Sequence, residues 1–195
     1  MVLAKLLKIS SPKGKNILKL YLRDDGGAEL TLSVSEAVYR RTGCPLTGDE
    51  IDEDTLATYV DEDEQRRADA RALRLLEYAD NNERMIKLKL MKSGFSPRVA
   101  EESAKRMVML GYINETRQLE ILVEHEANRA LRGPRRILQK LLAKGYSHAD
   151  IKQTISKLCE RGEIDFKKNS ELLLEKHGAH FDSEEAKLLL YKNGY

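Results

Sequence analysis

The chain has 195 residues, of which 41% are hydrophobic and 34% charged, and its net charge is +2. Its two cysteines, Cys44 and Cys159, have no partner at metal-ligand spacing, which is typical of reduced cytosolic thiols. No run approaches the roughly 18 apolar residues of a membrane span, and the N-terminus lacks a signal-peptide pattern. These features predict a soluble cytoplasmic protein without a membrane segment.

Charge is distributed unevenly along the chain. Between residues 47 and 70 there are ten acidic residues against two basic ones, and both flanking segments are basic. The simplest interpretation of the acidic segment is a solvated connector or the start of a helix. We expect Glu62, Asp63 and Glu64 in the first turn of a helix that begins near Asp61, where carboxylates interact favourably with the helix dipole.

The first 60 residues predict a small β-rich region. Short runs with partial apolar alternation are separated by turn sequences, and Asp25-Gly26-Gly27 favours a tight hairpin. A three-stranded meander is therefore expected, followed by a short helix Glu36–Arg41 that Ser35 caps. A further short helical stretch is expected from Gly48 to Tyr59. The three predicted strands are Val2–Ile9, Ile17–Arg23 and Glu29–Val34.

From about Asp61 the apolar residues recur at helical spacing, and the segment contains an internal repeat. Three helices are expected to end in glycine followed by an aromatic residue, and these glycines are 51 and 49 positions apart. After each of the first two pairs a serine caps a second helix, which ends at a glycine 17 residues after the first. A third helix then starts at Asn114 or Asp165. The pairs are Gly94-Phe95, Gly145-Tyr146 and Gly194-Tyr195.

The fold class that follows is mainly α. We predict tandem three-helix repeats that stack into an elongated, curved array, preceded by the small N-terminal β-meander with its short helix. The expected division is an N-terminal extension over 1–60, a first repeat over 61–112, a second over 113–163 and an incomplete third over 164–195.

No combination of residues indicates catalysis, so a non-enzymatic protein without a cofactor is expected. There is no phosphate-binding loop of the Walker type and no nucleophile elbow. His177 and His180 are three residues apart, but Gly178 interrupts the helix between them and no further ligand completes a metal site.

Basic residues are the remaining candidates for a binding site. Arg132, Arg136, Lys140 and Lys144 recur at four-residue intervals, so the last three would share one face of a helix that begins at Gly133-Pro134. Little acidic charge nearby in the sequence is expected to cancel this run. Such a face suits phosphates or acidic protein patches, although a plain solvated helix face is an equal alternative. Further basic candidates are Arg135 in the second repeat and Arg84, Lys87 and Lys92 in the first.

These segments resemble the RecX family of bacterial RecA regulators. The resemblance rests on Gly111-Tyr112-Ile113-Asn114-Glu115, on the run from Arg132 to Leu141, and on Lys144-Gly145-Tyr146. It covers about residues 62–195, and the N-terminal meander is similar to an extension that some members carry. The segment Ala79–Asn82 departs from the family pattern.

The resemblance implies a monomeric protein that binds the RecA filament on single-stranded DNA. It would inhibit filament growth and lower RecA's recombinase, ATPase and co-protease activities in DNA repair and the SOS response. Two alternatives stay open. One is a helical-repeat module that binds DNA without RecA, and the other is a helical scaffold for a different protein.

Overall fold

The computed structural model describes residues 4–12, 16–178, 180 and 183–195. Contacts group the chain into two compact units, Met1–Leu75 with Lys89–Ala104 and Leu76–Leu88 with Lys105–Tyr195. Among the described residues no helix is long and apolar enough to span a bilayer. The mainly helical fold with an N-terminal antiparallel sheet confirms the predicted fold class.

The sheet of the first unit contains β1 (Ala4–Ser10), β2 (Ile17–Asp24), β3 (Glu29–Ser35) and β4 (Glu50–Ile51), in the order β3-β2-β1-β4. The three predicted strands are confirmed, although Val2 lies outside the described residues. The fourth strand was predicted as helix. Its pairing with β1, Ala4 opposite Ile51, buries Ile51 in the sheet core, which the local sequence does not reveal.

Ser35 caps α1 (Glu36–Arg41) as predicted, because its hydroxyl accepts a hydrogen bond from the backbone N–H of Val38. The single helix α2 (Glu53–Tyr78) replaces the two helices expected on either side of residue 60. Glu62, Asp63 and Glu64 therefore lie in the middle of α2, and their predicted place in a first turn is wrong.

Those mid-helix carboxylates hold the first unit together. Buried Asp63 accepts hydrogen bonds from the backbone N–H of Ser33 on β3, at 2.9 Å, and from Arg67 Nε, at 2.7 Å. Glu64 Oε1 accepts from the backbone N–H of Ser96, at 3.1 Å. A buried acceptor bonded to backbone and to a cation is stabilising, whereas one left unpaired would cost about 1–3 kcal/mol.

The remaining helices follow the repeat, and the second unit has its own core. They are α3 (Glu83–Lys92), α4 (Pro97–Met109), α5 (Glu115–Glu124), α6 (Pro134–Ala143), α7 (His148–Glu160), α8 (Phe166–His177) and α9 (Glu184–Asn193). The core of the second unit includes the buried side chains of Leu119, Val123, Ile137, Leu141 and Ile151. Burial of each such side chain contributes about 1.5–3 kcal/mol.

The repeated glycines end their helices as the sequence predicts. Gly145 has a φ of 96°, and its N–H donates to the Leu142 carbonyl while the Tyr146 N–H donates to the Leu141 carbonyl. Gly194 repeats this pattern at the end of α9 with a φ of 87°. This pair of hydrogen bonds is the Schellman motif, which satisfies the last carbonyls of a helix.

The helices α3, α6 and α9 are each the first helix of a repeat. Within the second unit, the start of α3 contacts the end of α6, and the start of α6 contacts the end of α9. The side chain of Asn82, just before α3, donates from Nδ2 to the Lys144 carbonyl at the end of α6, at 3.0 Å. Fifty-one residues later the Gly133 N–H, just before α6, donates to the Asn193 carbonyl at the end of α9, at 2.8 Å. A contact between a helix start and a helix end therefore occurs twice, through a side-chain amide at the first junction and a backbone N–H at the second. Each time it satisfies a carbonyl at a helix end that lacks a partner within its own helix.

The second junction requires glycine on both sides. A β-carbon on Gly133 would lie 2.4 Å from the carbonyl carbon and oxygen of Gly194, and one on Gly194 would lie 2.4 Å from the backbone nitrogen of Arg136. Real β-carbons do not approach other atoms so closely, so any side chain at either position would force α6 and α9 apart.

We predict that Gly133→Ala lowers the free energy of unfolding by about 2–3 kcal/mol, because the added methyl group overpacks the junction. Urea unfolding followed by circular dichroism measures this loss. Gly162→Ala is the control, since a β-carbon there meets open space and only its positive φ opposes alanine, at a cost of roughly 1 kcal/mol. Equal losses in both variants would contradict the close approach of α6 and α9.

Candidate interaction site

The predicted cationic residues of the second repeat lie on or beside α6, which begins at Pro134 with Gly133 as its N-cap, as expected. Arg132, Arg136, Gln139 and Lys140 line a shallow cleft of about 310 Å³. Arg135 is exposed on α6, and Lys144 is exposed at the C-cap of the same helix. The structure therefore brings Arg132, Arg136 and Lys140 together, and places Lys144 elsewhere.

Two of these cations share one carboxylate that the sequence reasoning missed. Glu126 is 4% exposed, and its two carboxylate oxygens accept hydrogen bonds from Arg132 Nη1 and Lys140 Nζ. The expectation that little acidic charge nearby cancels the basic run is therefore wrong. Glu126 lies only six residues before Arg132, and its side chain continues the buried face of α5.

Glu126 lies in a π-helical turn, His125–Arg129, that continues α5, and it follows buried Val123 by three residues on the same inward face. A π-turn widens the helix by one residue and so shifts the side chains that follow it to a different face. Leu131, two residues after the turn, has a φ of 49°, which is unusual for a residue with a β-carbon. There the Arg132 N–H donates to the Glu126 carbonyl at 3.0 Å, so backbone and side chain of Arg132 both bind Glu126.

Asn169 of α8 supports the same turn from the other side. Its side chain is buried, and its Nδ2 donates to the Ala127 carbonyl at 3.1 Å and to Asn128 Oδ1 at 3.0 Å. Asn128 in turn donates to the Glu163 carbonyl at 2.9 Å. No apolar periodicity marks these asparagines. Only an unexplained polar residue at a core-facing position of α8 could have signalled them.

Burial and the neighbouring cations shift the pKa of Glu126 in opposite directions. Burial raises the pKa of its carboxyl group, but the hydrogen bond from Lys140 and the positive charge of Arg132 outweigh burial, and the pKa falls below its ordinary value of 4.5. The folded chain therefore favours the ionised form. This contribution to stability is present above pH 4.5 and is lost as the pH falls through the lowered pKa.

We predict that Glu126→Gln lowers the free energy of unfolding at pH 7 by about 1–3 kcal/mol, because two cations lose their shared counter-charge. The loss is limited since Arg132 and Lys140 are 31% and 39% exposed and can bind water instead. Urea unfolding at several pH values measures it.

The difference from wild type should shrink as the pH falls below 4.5, where the wild-type carboxylate becomes protonated. Glu124→Gln, which changes an exposed neighbouring glutamate, should leave stability within about 0.5 kcal/mol of wild type. A pH-independent loss in Glu126→Gln would show that packing, and not charge, explains the effect.

The first-repeat candidates lie on α3. Arg84 is exposed, and its side-chain stem packs over Gly145, where an added β-carbon would meet Arg84 Cδ at 3.1 Å. Arg84 therefore stands beside Lys144 at the first junction. Lys87 is half-buried and has an interaction partner, and Lys92 is exposed at the end of α3. The structure does not gather these residues into one stripe.

The segment Ala79–Asn82, which departs from the family pattern, has a structural role. Asn82 Oδ1 accepts from the Met85 N–H at 2.8 Å and so caps α3, while its Nδ2 binds the end of α6. Asn81 and Asn82 border a cleft of about 330 Å³ between the start of α3, α5 and the end of α6, and Lys144 lines the same cleft. The side-chain amide of Asn82 therefore connects the start of α3 to the end of α6.

Glycine 111 and its neighbours are explained by folding as well. Gly111 ends α4, Ile113 is buried, and Asn114 caps α5 by accepting from the Arg117 N–H. Glu115 Oε1 accepts from the backbone N–H of Glu83 at the start of α3, at 2.8 Å. In this motif only Tyr112 has an exposed side chain with no structural role in the second unit.

An N-terminal antiparallel sheet followed by glycine-terminated three-helix units defines a helical-repeat protein, and within the described residues no group of three or more His, Cys, Asp or Glu side chains could hold a metal ion. Such an arrangement offers surfaces for binding. Comparison with known proteins shows that the chain is similar to proteins of the RecX family.

The regulatory protein RecX of Bacillus cytotoxicus is 26% identical over 162 residues, which are 83% of this chain and 58% of that protein. The regulatory protein RecX of Clostridioides difficile is 27% identical over 145 residues, 74% of this chain and 66% of that protein. The chain thus spans about half to two thirds of the length of the curated relatives it matches. No family model matches it.

Solved structures agree with this assignment. A crystal structure of regulatory protein RecX superposes with a TM-score of 0.70 at 25% identity, covering 98% of this chain and 94% of the other. The crystal structure of RecX from Lactobacillus salivarius, at 19% identity, has a TM-score of 0.57 over 68% of this chain and 89% of its own, and supports the fold alone.

Proposed function

We propose that this protein is an inhibitory regulator of RecA. It binds the RecA filament on single-stranded DNA, limits filament assembly, and lowers RecA's ATPase and co-protease activities in DNA repair and the SOS response. Similarity to regulatory proteins named RecX supports RecA as the partner. The protein acts as a ligand that shifts the equilibrium of the filament, while RecA remains the enzyme.

The observation that carries this proposal is the recurrence of exposed arginines at successive junctions. Arg84 stands in the first turn of α3, and Arg135 stands at the equivalent position of α6, 51 residues later. Both are exposed, and neither forms an ion pair with a residue that the structure describes. Cations at repeated positions suit a partner that repeats its own subunits, because several weak contacts then act together.

We predict that the protein lowers RecA ATPase on single-stranded DNA when present below equimolar amounts, and that Arg84→Glu combined with Arg135→Glu raises the amount needed for half-inhibition roughly tenfold, equivalent to about 1.4 kcal/mol. Glutamate in the first turn of a helix interacts favourably with the helix dipole, so both helices should form normally. An ATPase titration measures the effect.

Lys152→Glu with Lys168→Glu is the matched control. It reverses two exposed charges near the starts of α7 and α8 and changes the net charge equally. This control should inhibit like wild type. Unchanged ATPase with wild-type protein at an equimolar ratio would exclude RecA regulation. Full inhibition by the arginine variant would instead place the contact on other residues.

A second candidate function is direct binding of DNA without RecA, which the cleft formed by Arg132, Arg136, Gln139 and Lys140 favours. With Glu126 as counter-charge the three cations keep an excess of positive charge at one place. Phosphates could replace water there, and release of counterions would drive binding.

We predict for this candidate that oligothymidylate binds without RecA and that log affinity falls with log salt concentration with a slope of about −1.4, as expected when the net charge of the cleft neutralises two phosphates on a single strand. Arg136→Glu should weaken binding, because it reverses the cation of the cleft that Glu126 does not hold, and Lys152→Glu should not. Absence of any complex at low salt in a band-shift titration would exclude this function.

A further inference from the structure

The corner between α4 and α5 exposes an unusual group of apolar side chains. Met109 is 86% exposed, Leu110 61% and Tyr112 57%, and Val108 beside them is partly exposed. Four large apolar residues within five positions at a helix end form a contiguous patch, and a patch of this kind on a single chain commonly marks an interaction site.

The second repeat contains the same corner, built from polar residues. Gly111 and Gly162 end α4 and α7 with φ values of 76° and 72°. The Tyr112 N–H donates to the Met107 carbonyl at 3.0 Å, and the Glu163 N–H donates to the Leu158 carbonyl at 2.9 Å. The isoleucine that follows each corner, Ile113 or Ile164, is 3% exposed in both.

The surface positions of the two corners differ completely. Glu160, Arg161 and Glu163 stand where the first repeat has Met109, Leu110 and Tyr112, 51 residues earlier. The fold of this corner therefore does not need apolar side chains at these three positions. A contact outside the chain would explain their presence in the first repeat.

We propose that Met109, Leu110 and Tyr112 form an apolar anchor that inserts into a hollow on a RecA protomer. The proposal rests on the function proposed above and names a second contact, separate from the arginines of the junctions. A few apolar side chains at the centre of an interface commonly supply most of its binding free energy.

The chemistry of the corner favours a protein as occupant. Two of its three most exposed side chains are aliphatic, whereas sites for single-stranded nucleic acid use aromatic rings on which bases stack. The complementary surface is therefore an apolar hollow on a protein.

The size of the patch also argues against a second copy of this chain. Four side chains cover only a few hundred Å², well below the roughly 800 Å² that each partner buries in a stable interface. The corner is large enough to anchor a broader interface but too small to hold a homodimer by itself.

The test transfers the polar corner of the second repeat to the first. The variant Met109→Glu, Leu110→Arg, Tyr112→Glu places at this corner the residues that already fold in the same geometry at 160, 161 and 163. Its circular dichroism spectrum and urea midpoint should match wild type. The matched control Val108→Cys makes the remaining exchange between the two corners, and should bind like wild type.

Binding to RecA assembled on oligothymidylate is measured by surface plasmon resonance. We expect the triple variant to raise Kd at least tenfold, mainly through faster dissociation, and to keep this defect at high salt, where screening weakens the contribution of the arginines. If wild type binds and the triple variant binds equally well, the anchor is wrong and RecA regulation stands.

Two other results would overturn the anchor. If wild type does not bind the RecA filament at all, the proposed function and the anchor both fail. If the triple variant loses binding to oligothymidylate without RecA, or abolishes a concentration-dependent self-association of wild type in sedimentation velocity, the corner binds DNA or a second copy instead.

Discussion

The second unit depends on the contact between the start of one helix and the end of another. A helix start offers N–H groups and a helix end offers carbonyl groups, and neither has a partner within its own helix. Asn82, just before α3, contacts the end of α6, and Gly133, just before α6, contacts the end of α9. Each contact satisfies a carbonyl group at a helix end. Because each contact involves a C-terminal glycine, the same residue that ends a helix also allows the neighbouring helix to approach.

This constraint explains which parts of the fold the sequence could predict. Strands, caps and terminal glycines depend on neighbours within a few residues, and Ser35, Asn114 and Gly145 all act as predicted. The length of α2 was not predicted, because Asp61 and the acidic residues after it are typical of a helix start. Their actual role depends on β3, which is distant in sequence but supplies the N–H that Asp63 binds.

In the candidate site, too, some features could be predicted from nearby residues and others could not. Four-residue spacing predicted Arg136, Lys140 and Lys144 on one face of α6. The structure brings the first two together in the cleft, with Arg132 in place of Lys144. The pairing of two cations with Glu126 was not predicted, because it depends on how the backbone returns between Glu126 and Arg132. A π-helical turn and a positive φ at Leu131 lie in that stretch, and no apolar pattern records them. Charge balance at a surface is therefore poorly predicted by counting neighbouring residues.

The shared carboxylate also ties together two positions that are not paired with each other. Arg132 and Lys140 each bind a different oxygen of Glu126. Loss of one base leaves the carboxylate with a partner, whereas loss of both leaves it buried and alone. The effect of either substitution consequently depends on the residue at the other position. Over evolution these two sites are expected to vary conditionally, so that a change at 132 is accepted mainly in chains that keep a base at 140.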